Sequence, residues 1–306
     1  MRLLITGQEG LVGSALCDLC RATPVHVSGV DIRAPDAKDI RRTRDLKDML
    51  AYVDGVVHLA AISRVAWGEA DPALCEAVNV EGTAAILDAL RTYNPKAWLL
   101  FASSREVYGN PRSAQVVESD PLDPVNTYGK SKLEGERLVQ QAQAMGLRAA
   151  IVRLSNVYGG RADHPDRAVP ALMQRALNGD AIEITGGDHY FDFVHVDDVA
   201  RALLDVCQLL HDGSEDIPPV HLTTGIATSL AELAQLAVTV AGSTSTVREV
   251  AARAFDVQGF CGDPRRAAQT LGWNPRISLR EGIEMVANDL RRNGPLASAG
   301  PFEHLR

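Results

Sequence analysis

Leu3-Leu4-Ile5-Thr6-Gly7-Gln8-Glu9-Gly10-Leu11-Val12-Gly13 runs into a helical stretch, Ser14 to Arg21, and then into Val25 to Val30, closed by Asp31-Ile32-Arg33. The opening apolar run, Arg2 to Thr6, reads as a parallel strand buried on both faces, because such a strand loses the apolar–polar alternation of a half-exposed one. The order is strand, glycine turn, helix, strand, with an acid about 20 residues beyond the glycines. Gly7, Gly10 and Gly13 between them serve a tight turn, close approach of backbone to a pyrophosphate, and close packing of helix on strand. The helix start at Leu11 and Val12 offers unpaired N–H groups and a positive dipole end to phosphate. The stretch predicts dinucleotide binding. Asp31 is suited to accept from both ribose hydroxyls and would repel a 2′-phosphate, which favours NAD. Arg33 keeps NADP open, since a nearby arginine can hold that phosphate.

Strand and helix signals keep alternating outward from there. Val56 to Ala60, Ala97 to Ala102 and Arg148 to Leu154 read as strands; Ala73 to Tyr93 and Asn126 to Met145 read as long helices. This pattern predicts an α/β fold, a Rossmann-type doubly wound parallel sheet with helices on both faces. From about Ser155 the pattern loosens into Gly159-Gly160, Asp163-His164-Pro165-Asp166 and Gly186-Gly187-Asp188. Strand-like Phe193 to Val196 and Val220 to Leu222 then return, separated by the helical Asp198 to Leu210. The expected division is a nucleotide-binding domain over 1–155 plus about 189–224, and a smaller, C-terminal substrate-binding lobe from about 156–188 and 225–292. Residues 293–306 are rich in Pro, Gly and small side chains and read as a mobile tail.

The composition fits a globular protein and narrows its partners. A chain of 306 residues with net charge −8 does not present a nucleic-acid surface, although a local basic site for a diphosphate is compatible with it. No apolar run approaches the roughly 20 residues that span a bilayer, so no membrane association is expected and a soluble, cytoplasmic protein is. The five cysteines are scattered; Cys17 and Cys20 form a CxxC inside a helical pattern and read as packing residues. No cluster has metal-ligand spacing, so no metal is expected.

The chemistry points to Asn126-Thr127-Tyr128-Gly129-Lys130-Ser131-Lys132. On a helix, Tyr128 and Lys132 share a face about one turn apart, roughly 5–6 Å. A nearby ammonium favours the phenolate, so the Tyr128 pKa is expected to fall from about 10; bringing it near 7 takes about 3 units, roughly 4 kcal/mol, which the lysine together with an oxidised nicotinamide could supply. Such a phenol takes a proton from an alcohol while the alcohol carbon gives up hydride.

Several motifs now stand in order: TGQEGLVG at 6–13, Asp31, Asp45-Leu46, HLAA at 58–61, Asn79, SSREVYG at 103–109, YGKSK at 128–132 and RLSNVYG at 153–159. The chain resembles the extended short-chain dehydrogenase/reductase family, in its nucleotide-sugar epimerase/dehydratase branch, from Leu3 to about Val286. The resemblance implies Ser104, Tyr128 and Lys132 as catalytic residues, Ser104 bridging the substrate hydroxyl and the phenol. It implies a cofactor site of Gly7, Gly10, Leu11, Val12, Gly13, Asp31, Arg33, Asp45, Leu46, Leu59, Ala60, Ala61, Asn79, Tyr128 and Lys132. Asp45 equally reads as the N-cap of a helix that begins at Leu46.

On the substrate side, Asn156 matches the family's diphosphate-binding asparagine, and Arg253 with Asp256 matches its Arg-Pro-Gly-Asp segment, with Pro and Gly replaced. Phe191 stands where relatives carry a pyrophosphate arginine. Arg167 then replaces the lost charge, reads a carboxylate on the sugar, or is a solvated surface residue. Dehydratases of this branch need an acid pair before VYG; here it reads Arg105-Glu106, and a guanidinium is too weak an acid to protonate a leaving hydroxyl. The leading expectation is therefore an NAD-dependent nucleotide-sugar 4-epimerase acting on a UDP- or dTDP-sugar through a transient 4-keto intermediate. Net reduction of a 4-keto sugar, or oxidation of another secondary alcohol, is the alternative; dehydration or dinucleotide binding without catalysis ranks lower. A homodimer through the two long helices is implied by the resemblance alone.

Overall fold

The computed structural model describes residues 1–34, 38–250 and 257–297, apart from the side chains of residues 43–45. Arg253 and Asp256 lie outside the described residues.

The chain begins as β1 (Arg2–Thr6), α1 (Leu11–Arg21) and β2 (His26–Val30). It continues through α2 (Thr43–Leu50), β3 (Gly55–His58), α3 (Val65–Ala70) and α4 (Pro72–Glu76). A π-helical turn (Ala77–Glu81) joins α4 to α5 (Gly82–Tyr93), so the expected long helix carries a bulge centred on Asn79. Then come β4 (Trp98–Ser104), a 3-10 turn (Arg105–Tyr108), α6 (Thr127–Ala144) and β5 (Ala149–Leu154). The sheet is completed beyond α8 (Val196–His211) by β9 (Val220–Leu222).

Its strand order is β2-β1-β3-β4-β5-β9, every neighbouring pair parallel. Leu3 and Ile5 face one apolar layer with Leu16, Val199 and Leu203, while Leu4 faces another with Leu46, Ile86 and Val139. Both faces of β1 are thus covered by helices, which is why its sequence is continuously apolar. The connections reverse direction between β1 and β3, and a crevice opens outside the carboxyl ends of strands at such a reversal.

A third apolar cluster gathers Tyr108, Tyr158, Leu172, Phe191, Phe193, Leu233, Phe260 and Ile283. It belongs to β6 (Asn156–Tyr158), α7 (Ala168–Asn178), β7 (Ile182–Thr185), β8 (Tyr190–His195), β10 (Ala227–Ser229), α9 (Leu230–Ala241), β11 (Val247–Val250), β12 (Gly259–Phe260) and α11 (Leu279–Asn293), with α10 (Arg265–Leu271) packed near β9. Two expectations are corrected here. β8, assigned from sequence to the nucleotide-binding domain, pairs instead with β6, β10 and β12 in a separate sheet. The supposed tail does not begin at residue 293: α11 runs to Asn293, Leu296 is buried in the third cluster, and Arg161 donates to the carbonyls of Gly294 and Pro295.

Candidate active site

The loops after β1 and β3 meet at Gly7. Its φ of +76° is natural only to glycine, and a Cβ there would stand 2.8 Å from the Ala60 nitrogen. A Cβ at Gly13 would collide with the Gly7 carbonyl, so α1 packs directly onto the turn. Helix α1 starts at Gly10 with no side-chain cap and no acid in its first turn. Its N-terminal N–H groups therefore face a cleft of about 300 Å³, lined by Gly7, Gly10, Leu11, Val12 and Gly13 from this loop.

Asp31, Arg33, Leu59, Ala60, Ala61, Tyr128 and Lys132 line the same cleft. The Asp31 carboxylate accepts from the Glu9 and Arg33 backbone nitrogens at 3.0 and 2.9 Å, which fixes it at the end of β2. Although the chain carries net charge −8, the cleft sets Arg33, Lys38, Arg105, Lys132 and Arg167 against Asp31, Asp39 and Glu106. The cavity is cationic.

Two sequence assignments, Leu46 and Asn79, fall away from the cleft, and the N-cap reading of Asp45 is corrected. Leu46 is fully buried in the apolar layer beneath β1, packed with Leu4, Val30 and Ile86. Helix α2 already begins at Thr43, so Asp45 is not its N-cap. Asn79 does not reach the cavity: its Oδ1 accepts from Ile62 N (2.8 Å) and its Nδ2 donates to the Ile62 carbonyl (3.1 Å) and Ser131 Oγ (2.9 Å). Asn79 thereby ties the cleft-lining segment after β3 to helix α6.

Asn126 caps α6, accepting from Gly129 N at 2.8 Å, and its amide donates to Glu106 Oε2 at 2.7 Å. In the first turn, Tyr128 lines the cleft with Ser104, whose side chain favours the phenolate. Burial pushes the Tyr128 pKa up to about 12; Ser104 and Arg167 act the other way, and Glu106 and Cys75 reinforce the rise. The expected lowering by Lys132 is not found. Its ammonium donates to the Ala102 carbonyl at 2.9 Å over the Phe101 ring, and burial brings its own pKa down to about 8. Helical spacing set the two residues on one face but did not aim the ammonium at the phenol.

On the other side of Ser104, a second cavity of about 350 Å³ is lined by Arg105, Glu106, Asn156, Phe191, Leu230 and Val257 among others. Asn156 lines both cavities, and its Oδ1 is buried with no hydrogen-bond partner among the described residues. Arg105 ion-pairs Glu106 at 2.7 Å and lies 4.4 Å over the Phe191 ring. Arg105 thus places a cation over the ring at position 191. Arg167, at the start of α7, pairs with buried Asp163 at 3.3 Å while lining the cleft.

Sequence reading missed the bridge across the cleft. Arg64 ion-pairs Asp166 and lies over Trp67, whose ring meets His164 edge-on at 4.8 Å. Trp67 and His164 both line the cavity. Nothing in the segment after HLAA or in His164-Pro165-Asp166 announces that pairing, because it joins loops about 100 positions apart.

A sequence profile of the NAD dependent epimerase/dehydratase family matches residues 3–217. The chain belongs to this family. Within it, UDP-glucose 4-epimerase of Streptomyces lividans is 31% identical over 304 residues, covering 90% of this chain and 91% of its own. The solved UDP-glucose 4-epimerase of Thermotoga maritima with UDP-glucose superposes with a TM-score of 0.88 at 26% identity, over 95% of this chain and 99% of that one. MoeE5 in complex with UDP-glucuronic acid and NAD gives 0.87 at 30% identity, with the same coverage of both chains. Among the described residues no group of three or more His, Cys, Asp or Glu could hold a metal, and no helix is long and apolar enough to cross a membrane. All five cysteines are free thiols; burial pushes the Cys20 thiol up to about 11, consistent with packing.

Proposed function

We propose that the protein is an NAD-dependent nucleotide-sugar 4-epimerase. The observation that carries the reading is that Ser104 and Tyr128 line the glycine-loop cleft together with Arg105, Glu106 and Asn156, which that cleft shares with the second cavity. A molecule reaching from the second cavity presents its near end to the phenol, while a dinucleotide on the glycine loop approaches from the opposite direction.

The residues present fit a dinucleotide. The cradle at Gly7 and Gly13 would be filled by any Cβ, and the uncapped α1 terminus offers N–H groups to a pyrophosphate. Asp31 would hold the adenosine ribose, Arg33 would lie beside it, and Lys132 would hold the nicotinamide ribose. Bound NAD supplies a reversible acceptor for the hydride of the sugar carbon. Tyr128 takes the proton of the 4-hydroxyl, directly or through Ser104, and gives it back after the 4-keto sugar has turned. Ser104 Oγ accepts from Glu106 N at 3.2 Å, which fixes the hydroxyl toward the phenol. Asn156, which lines both cavities, would donate its Nδ2–H to the diphosphate, and Arg253, in the segment that ends at Asp256, is assigned to the same diphosphate by its sequence pattern.

Dehydration is disfavoured, because Glu106 is committed to Arg105 and Asn126. We further propose, on family resemblance, a homodimer paired through the helical stretch from α4 to α5 and through α6, and a cytoplasmic location; no described helix is long and apolar enough to cross a membrane. UDP-glucose, UDP-glucuronic acid and dTDP-glucose, incubated separately with the NAD-loaded protein, test the reaction. A C4 epimer with unchanged nicotinamide absorbance supports it; stoichiometric absorbance change marks net redox chemistry, and a 4-keto-6-deoxy product marks dehydration.

A further inference from the structure

Arg105 stands between the two cavities and lines both. It follows Ser104 directly, and Ser104, Arg105 and Tyr128 line the same cleft. A substrate that reacts at Tyr128 and extends into the second cavity therefore passes Arg105. Phe191, buried under the guanidinium at 4.4 Å, and Glu106, paired with it at 2.7 Å, hold the side chain at this boundary. A second guanidinium, Arg167, reaches the same region: it lines the cleft and is close enough to Tyr128 to act on its phenol.

Arg105 is paired with Glu106 and Arg167 with Asp163, and a hexose bearing only hydroxyls adds no negative charge to replace the water that either guanidinium loses when it binds. A carboxylate does, because its two oxygens match the guanidinium fork and charge-assisted hydrogen bonds are roughly twice as strong as neutral ones. Resting on the reading as a nucleotide-sugar epimerase, we propose that the sugar is acidic, a uronic acid, and that Arg105, seconded by Arg167, is the residue that selects it. Phe191 serves as the platform; a weakly hydrated, planar cation stacks on an aromatic face at little desolvation cost.

The test is calorimetric binding of UDP, UDP-glucose and UDP-glucuronic acid to the NAD-loaded protein. The expected result is UDP-glucuronic acid bound about tenfold or more tighter than UDP-glucose, the ratio that one charge-assisted hydrogen bond supplies. Arg105→Met should bring that ratio close to one while leaving UDP affinity unchanged. Because this variant strands the Glu106 carboxylate, Arg105→Met/Glu106→Gln, which removes both charges together, is measured beside it and decides if the single variant fails to fold. A wild-type ratio at or below one overturns the inference. So does a loss of UDP affinity equal to that of UDP-glucuronic acid in the double variant, since the guanidinium would then serve the diphosphate. Binding needs no turnover: selective binding without C4 epimer formation would refute the reaction while upholding the acidic sugar.

Discussion

The phenol of Tyr128 is held near 12 by burial, so at a working pH of about 8 roughly one molecule in 10⁴ carries a phenolate. Bringing the group to that pH takes about 4 units, or about 5 kcal/mol. Lys132 does not provide it, since its ammonium is turned to the Ala102 carbonyl. A unit positive charge at about 4 Å in an effective dielectric near 20 provides about 4 kcal/mol. The oxidised nicotinamide is such a charge, so Tyr128 should become a competent base only when the oxidised cofactor is in place. The assay is a tyrosinate difference spectrum against pH, with Tyr128→Phe subtracted to remove the other five of the six tyrosines. The cofactor-free protein should show no Tyr128 ionisation below about pH 10.5; the NAD-loaded protein should show it near pH 8–9, and the NADH-loaded protein should revert. Ionisation below about pH 9 without cofactor, or a shift under about one unit on loading, would mean that the nicotinamide does not set the phenol's acidity.

Four further outcomes follow from the same geometry. Lys132, brought down to about 8 by burial, should give kcat/KM a falling limb above about pH 8 as its charge is lost; because the unfolded chain binds that proton more tightly, urea titrations should show stability rising with pH between about 8 and 10.5. Glu136→Gln removes the partner of buried Arg153, which it meets at 2.7 and 2.9 Å, and should cost about 3–5 kcal/mol in chemical denaturation, whereas Glu136→Leu/Arg153→Met should cost markedly less. Trp67→Ala opens the bridge to His164 and Arg64 and should speed NAD release about tenfold in a stopped-flow chase, with thermal stability changed little. Asn79→Ala leaves the Ile62 backbone groups unpaired and should lower stability by about 2–3 kcal/mol, with kcat falling less than cofactor affinity.

Local rules reached the sheet because its determinants are local. Glycine spacing, apolar runs and the acid ending β2 each act within one βαβ unit, and the structure places Gly7, Gly13 and Asp31 as that spacing implies. Motif position was a poorer guide to side-chain direction. Leu46 follows a cofactor-like acid yet serves the core, and Asn79 acts through Ile62 and Ser131. The π-helical turn that carries Asn79 is set by packing, which no periodicity reveals. The Tyr128–Lys132 expectation failed because a carbonyl one strand away competes for the ammonium. Position 105 shows the same limit. Its sequence excluded an acid, but only the fold shows the guanidinium on Phe191, two segments 86 positions apart in number and stacked in space.

A nucleotide sugar deuterated at C4 follows the transferred hydride itself. The C4 epimer should keep its deuterium on C4, with none released to water and none left on the recovered cofactor at equilibrium. Label washed into solvent, or product formed without inversion at C4, would contradict the 4-epimerase reading.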